Sequence, residues 1–290
     1  MFDKFFVLSQ YIAPQRAISH LAGRLADDNR SPALKNRVVH WFIGHYGVDM
    51  SEAAEPDPEA YPSFNAFFTR ALKPGIRPLA EGEKTLVSPV DGVISQLGQV
   101  TGDRMFQAKG QSFSLSELLG GNEKTAAPFA GGEFSTIYLS PKDYHRIHMP
   151  MAGTLREMIH IPGKLFSVNP VTAENVPNLF ARNERVACLF DTDAGPMALV
   201  LVGAMIVGSV ETRWAGVVAP GSKEVTATHY QGEQAVTLAK GEEMGRFRLG
   251  STVIMVMPRG AVTWNSDQVA GKTVRMGEAF GTLSRTQSPV

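Results

Sequence analysis

A single cysteine, Cys188, stands in 290 residues, so the chain cannot close an internal disulfide and has no thiolate cluster for a structural zinc. A reducing compartment is expected. Excess charge of one sign is missing too: 28 Lys and Arg balance 28 Asp and Glu, which excludes a chain-wide basic field for nucleic acid. Long apolar runs are also absent. The best stretch, Met197 to Val210, is broken by Gly203, Gly208 and Ser209 and falls short of the roughly 18 residues that a membrane-crossing helix needs. The N-terminus MFDKFFVLSQYIAP does not read as a secretion signal, because Asp3 interrupts the basic region and no small-residue cleavage site follows a brief apolar run. What is present is 43% apolar residues against 19% charged, enough to bury a core, with 28 Gly and 18 Pro to punctuate it.

The texture changes along the chain. Residues 1–48 carry Lys4, Arg16, Arg24, Arg30, Lys35 and Arg37 against Asp3, Asp27 and Asp28, a net +3 in a protein whose total is zero. Ile18, Leu21, Ala22 and Leu25 recur at helical spacing, as do Leu34, Val38, Phe42 and His45 after a Ser31-Pro32 start signal. Two or three short helices are predicted. Their apolar faces either pack on the protein's own core or, with the aromatic residues Phe2, Phe5, Phe6 and Tyr11 beside basic charge, lie in a membrane interface. Residues 49–84 read as an acidic, proline-bearing linker and then a short helix ended by Pro74-Gly75. From residue 85 to 290, short apolar or alternating runs sit between Gly, Pro, Asp and Asn, the pattern of strands and turns. The expected class is α+β, an N-terminal helical region followed by a compact, mostly antiparallel β domain.

Three segments could carry chemistry. In Ser88-Pro89-Val90-Asp91-Gly92 an acid precedes glycine between two apolar runs, which also suits a plain hairpin turn. In Tyr144-His145-Arg146-Ile147-His148, two of seven histidines lie three apart, a pattern suited to proton transfer; no third or fourth ligand at zinc-like spacing accompanies them, and no metal is expected. Gly250-Ser251 opens a buried-strand pattern, and by itself a Gly-Ser pair is an ordinary turn. Together Asp91, His148 and Ser251 supply an acid, a base and a hydroxyl, the set that activates a serine. The G-x-S-x-G elbow of an α/β-hydrolase is missing.

On these residues the chain resembles the phosphatidylserine decarboxylases of the bacterial, pyruvoyl-dependent type. The matching blocks are SPVDGVI at 88–94, YHRIHMPMAG at 144–153, PGKLFSVNP at 162–170, VGAMIVGSVE at 202–211 and LGST at 249–252. The resemblance implies a proenzyme that cuts itself between Gly250 and Ser251 into a β chain of residues 1–250 and an α chain of residues 251–290. His148, oriented by Asp91, would take the proton of Ser251 Oγ; the alkoxide would attack the Gly250 carbonyl in an N→O shift; elimination and hydrolysis would leave a pyruvoyl group and release ammonia. The substrate amine would form a Schiff base with that ketone and lose carbon dioxide, and His145 would return the proton. Phe166, Ser167 and Val168 would line the substrate. The resemblance further implies a homodimer of processed units docked peripherally on the cytoplasmic face of the bacterial inner membrane, with phosphatidylserine in an anionic bilayer as partner and phosphatidylethanolamine as product. Three alternatives stay open on the residues alone: a Ser-His-Asp hydrolase that keeps its chain intact, a non-catalytic lipid- or protein-binding β domain, and pyruvoyl chemistry on a soluble amino acid.

Overall fold

The structure is a computed structural model and describes residues 2–205, 209–248 and 251–284. Its helices gather at the N-terminus: α1 (Phe2–Ile12), α2 (Gln15–Asp27) and α3 (Pro32–Tyr46), then the single-turn α4 (Phe64–Phe68). Pro32 occupies the first turn of α3 and Gly47, at φ 69°, closes it in the left-handed conformation that a Cβ would disfavour. The helix predicted to run to Pro74-Gly75 stops at Phe68 instead. Its next residues have other partners: the Thr69 carbonyl accepts from Arg146 Nε at 2.9 Å, Arg70 is buried, and Leu72 bridges to Ala53.

The remainder is antiparallel sheet, as expected for an α+β chain. At the centre of the largest sheet runs Ser251–Met257, between Gly195–Val202 on one side and Glu133–Leu139 on the other. Arg185–Thr192 and Gly153–Ile161 extend the first side and Gly92–Gln99 the second. The central strand is buried on both faces, which is why STVIMVM reads as continuous rather than alternating apolar. Ile254 and Val256 face a cluster with Phe42, Phe67, Phe68 and Phe166; Val253, Met255 and Met257 face the opposite cluster with Leu139, Met149 and Phe247. A four-stranded sheet stands beside it in the order Gly216–Ala219, Ser209–Thr212, Glu243–Arg248, Arg146–His148.

Two local features bear on readings that the sequence left open. Asp91-Gly92 is not a hairpin turn, because the strand before it, Thr85–Val87, pairs with Ala279–Leu283 while the strand after it pairs with Glu133–Leu139. The pair marks a crossing between sheets. Glycine is required at 92 by proximity, since a Cβ there would lie 2.4 Å from the Tyr138 carbonyl oxygen. The apolar stripe of α2 points outward, the second of the two alternatives for these helices. Leu21 and Leu25 are each 62% exposed, while Gln15, Ser19 and Ala26 face inward. Leu34, Val38 and Trp41 of α3 are exposed as well, and that helix packs through Lys35, Val39 and Phe42.

Candidate active site

Strand pairing brings the two chemistry-bearing ends together. Ser251 pairs with Leu139, the last residue of its strand, and the loop that leaves Leu139 carries Asp143, Tyr144 and His145. From the other side, Phe247 N–H donates to the His145 carbonyl at 3.0 Å, and four residues further along the chain lies Ser251. His145 is thus bracketed by both approaches to the start of the central strand. Leu249 and Gly250 lie outside the described residues, and Ser251 is described through its backbone.

His145 is fully buried, its ring centroid 4.1 Å from that of Phe68. Its Nδ1 sits 2.8 Å from the Asp143 carbonyl, an acceptor only, so Nδ1 carries the proton and Nε2 keeps a lone pair. That Nε2 has no partner among the described residues. Burial holds the imidazole neutral, its pKa pushed down to about 3 despite the Asp143 hydrogen bond.

His148 is arranged the same way. Nδ1 meets the Gly241 carbonyl at 2.8 Å and Nε2 meets the Tyr144 hydroxyl at 3.0 Å. Since a carbonyl can only accept, Nδ1 donates to Gly241 and the Tyr144 hydroxyl donates to Nε2. Burial lowers the His148 pKa, outweighing the hydrogen bond to Gly241 and the nearby carboxylates of Glu243 and Asp91. Burial likewise raises the Tyr144 pKa, keeping the phenol protonated.

Asp91 does not hydrogen-bond His148. Its carboxylate is gripped by Arg77, with Nη2 at 2.6 Å and Nε at 3.1 Å, and accepts the Met276 backbone N–H at 2.8 Å. Arg77 also donates to Glu52 at 2.6 Å, and Glu52 receives Arg275 at 3.1 Å. Burial alone would lower the Arg77 pKa; the hydrogen bonds to Asp91 and Glu52 reverse this and raise it. The link from Asp91 to His148 runs instead through backbone, where His148 N–H donates to the Pro89 carbonyl at 2.9 Å. A cavity of about 230 Å³ opens beside Asp91, lined by Arg77, Asp143 and Tyr144 among others.

Phe166, Ser167 and Val168 lie apart from these groups, against the N-terminal helices. Phe166 and Val168 are core residues, and Phe166 also borders a cleft with Tyr11, Lys164 and Arg182. The neighbouring Leu165 lines a second cavity of about 540 Å³, together with Arg24, Asp27, Glu184 and Ser209. Ser209 pairs with Arg248, so this cavity reaches the end of the strand that leads to Gly250. Asp27 joins the same point, accepting from Asn65 at 2.8 Å and from Arg248 at 3.4 Å. Arg77, Glu52 and Tyr144 were not singled out by sequence reasoning. Tyr144 lies inside a block that drew attention, whereas Arg77 and Glu52 belong to a stretch whose composition signals only a linker.

Comparison with known proteins identifies the family. The family model for phosphatidylserine decarboxylase matches residues 64–282, and a model described as PSD matches residues 5–47. The phosphatidylserine decarboxylase proenzyme of Marinobacter nauticus is 74% identical over 284 residues, covering 98% of this chain and 99% of its own. The proteins of the same description from Hahella chejuensis and Bordetella pertussis are 58% and 57% identical, covering 100% and 98% of this chain and 97% and 96% of their own. The chain belongs to the phosphatidylserine decarboxylase family.

Proposed function

We propose that the chain is a proenzyme that cuts itself between Gly250 and Ser251 and then decarboxylates phosphatidylserine to phosphatidylethanolamine. Phosphatidylserine decarboxylation is the reaction of the family, a carboxy-lyase activity that its members reach from a proenzyme. The residue-level route rests on one observation: the start of the central strand is flanked by the loop and the strand that both fix His145, with neutral His148 on the next element.

In maturation, the Tyr144 hydroxyl passes its proton to His148 Nε2 as it takes the proton from Ser251 Oγ, so His148 acts as the base through Tyr144. Gly241 holds the opposite ring nitrogen as a donor, which fixes the tautomer. The Asp91 and Glu243 carboxylates favour the imidazolium that forms, so they assist as charge develops without touching the ring. The freed oxygen attacks the Gly250 carbonyl carbon and the amide becomes an ester, the serine nitrogen taking back a proton; elimination across Cα–Cβ then releases residues 1–250 as a carboxylate and leaves dehydroalanine, whose imine form takes up water and releases ammonia to leave an α chain headed by a pyruvoyl group. The serine is consumed in making its own cofactor. The unpartnered, buried Nε2 of His145 is an acceptor, suited to an N–H or O–H donor that arrives with the substrate.

The pyruvoyl group supplies an electron sink for the pair left behind when carbon dioxide departs. His145 then manages the proton that must reach Cα. Held neutral, its Nε2 is free to accept the proton that the substrate ammonium loses on condensing with the ketone and to return it to Cα. Phe166 to Val168 line the path of the lipid. The outward apolar residues Leu8, Ile12, Ile18, Leu21 and Leu25 dock the enzyme peripherally on the anionic cytoplasmic face of the inner membrane, and processed units pair as homodimers. No described helix is long and apolar enough to cross a membrane.

Release of labelled carbon dioxide from carboxyl-labelled phosphatidylserine, run beside a denaturing gel, tests the proposal. Two fragments and lipid-dependent release are expected. An intact chain that hydrolyses an ester, or cleaved chain that accepts only free serine, would overturn it.

A further inference from the structure

The segment at 165–167 has an unusual set of backbone partners. It lies between the isolated bridge at Lys164 and the helix Pro170–Asn175, outside any strand, so no ladder satisfies its N–H groups. Each is caught instead by a side-chain amide oxygen. Leu165 N–H donates to Gln15 Oε1 at 2.8 Å, Phe166 N–H to Asn183 Oδ1 at 3.1 Å, and Ser167 N–H to Gln10 Oε1 at 2.8 Å. Asn183 is a near neighbour in sequence, but the two glutamines reach across from α1 and α2.

The glutamines are themselves fully committed. Gln10 is 1% exposed and Gln15 is 7% exposed. Gln15 Nε2 donates to the Gln10 carbonyl at 2.7 Å, and Gln10 Nε2 donates to Thr172 Oγ1 at 3.3 Å. Between the two bonds the Tyr11 ring meets Phe166 edge-on at 4.9 Å, and the Arg182 guanidinium lies 5.2 Å from the Phe166 ring and 5.6 Å from that of Tyr11. Apolar burial by these helices is slight: among the described side chains of α1 and α2, the buried hydrophobic residues are Val7 and Ala26. Among the described side chains, the attachment of these helices to the β domain is thus largely polar and directional, and its side-chain hydrogen bonds concentrate on one short segment.

We infer that Gln10 and Gln15 are positioning residues for the lipid substrate, coupling the N-terminal helices to the backbone of the segment that lines it. The inference rests on the reading that Phe166 to Val168 line the substrate. The two faces of α1 and α2 then have separate tasks. The outer face carries Leu8, Ile12, Leu21 and Leu25 toward a bilayer, and the inner face holds the segment that receives the lipid drawn from it. A shift of the helices on docking is passed through two hydrogen bonds to residues 165 and 167.

The test uses full-length protein and vesicles of phosphatidylserine in phosphatidylcholine. Gln10→Ala and Gln15→Ala each strand a buried N–H, and each is expected to raise KM about ten-fold while kcat stays within about two-fold. Self-cleavage, which involves no lipid, goes to completion. Gln10→Glu restores most of the KM, because a carboxylate still accepts from Ser167 N–H and the Thr172 hydroxyl can turn to donate to it. Amide hydrogen exchange on the same samples should quicken at residues 165–167 and stay unchanged in the central strand. Faster exchange at 165–167 with KM unchanged would overturn the inference, as would a loss of kcat and KM together with exchange rising throughout the sheet. Should Gln15→Ala fail to accumulate, Gln10→Ala and Gln10→Glu decide the matter. If wild-type protein releases no carbon dioxide from phosphatidylserine, the parent proposal has failed, which is a separate result.

Discussion

The N-terminal helices and the central sheet are built on opposite rules. In the sheet, Val253 to Met257 are buried on both faces, and the polar groups that matter collect where strands end. In α1 and α2 the inward positions include Gln10, Gln15 and Ser19, while leucines and isoleucines face out, Ile12 by 80%. The sheet is held by excluding water from apolar surface. Among the described side chains, the helices are held largely by directional hydrogen bonds and present apolar surface that the fold itself leaves uncovered. One region encloses the start of the central strand; the other leaves apolar side chains at the exterior.

The comparison can be broken at several points. The largest effect belongs to Ser251→Ala, which is expected to leave one uncut band on a denaturing gel and no measurable carbon dioxide release, with the fold intact by circular dichroism. Next comes the division between the histidines. His148→Ala should slow self-cleavage by about 10²–10⁴-fold, whereas His145→Asn should still yield both fragments yet lose decarboxylation by a similar factor, the range expected for removing a general acid or base. Time courses of cleavage and of gas release on the same samples separate them.

Stability sharpens the contrast between regions. Ile254→Ala, in the middle of the central strand, is expected to cost about 2–5 kcal/mol by the usual penalty for an emptied core position. Leu21→Asp with Leu25→Asp, on the exposed face of α2, should change the denaturation midpoint little, within about 0.5 kcal/mol for each site. The same pair should weaken binding to anionic vesicles about ten-fold or more, since each leucine forfeits part of the roughly 2 kcal/mol that burying its side chain provides. Denaturant titration and vesicle co-sedimentation give the two readouts.

The effect spread most gradually is with pH. The folded protein keeps His145 neutral down to about 3, while an unfolded histidine takes up its proton near 6.5. Between these values the unfolded state binds the extra proton, so stability falls as pH drops, by ~1.4 kcal/mol per unit from this residue. Above about 6.5 His145 contributes no slope. Urea titrations at several pH values should show a shallower acid slope in His145→Asn.

Much of this architecture was legible in the sequence, for particular reasons. The run STVIMVM marked a strand buried on both sides, and Gly-Ser before it marked its start. The helical spacing of Ile18, Leu21 and Leu25 located α2, but periodicity finds an apolar face without saying what covers it. Asp91-Gly92 resembled a hairpin turn because proximity and turning both select glycine; only the strand pairing separates the two. The Arg77–Glu52–Arg275 chain behind Asp91 joins residues up to 223 apart in sequence. Gln10 and Gln15 were illegible for the same reason: an isolated glutamine on a helix signals nothing until the N–H group it satisfies, some 150 positions away, is known.

The most direct measurement is the intact mass of purified, active protein before and after borohydride. Two polypeptides are expected, residues 1–250 and a 40-residue partner beginning at position 251, and only the smaller should gain mass on reduction of its terminal ketone. A single 290-residue species that decarboxylates phosphatidylserine and takes up no hydride would contradict the account.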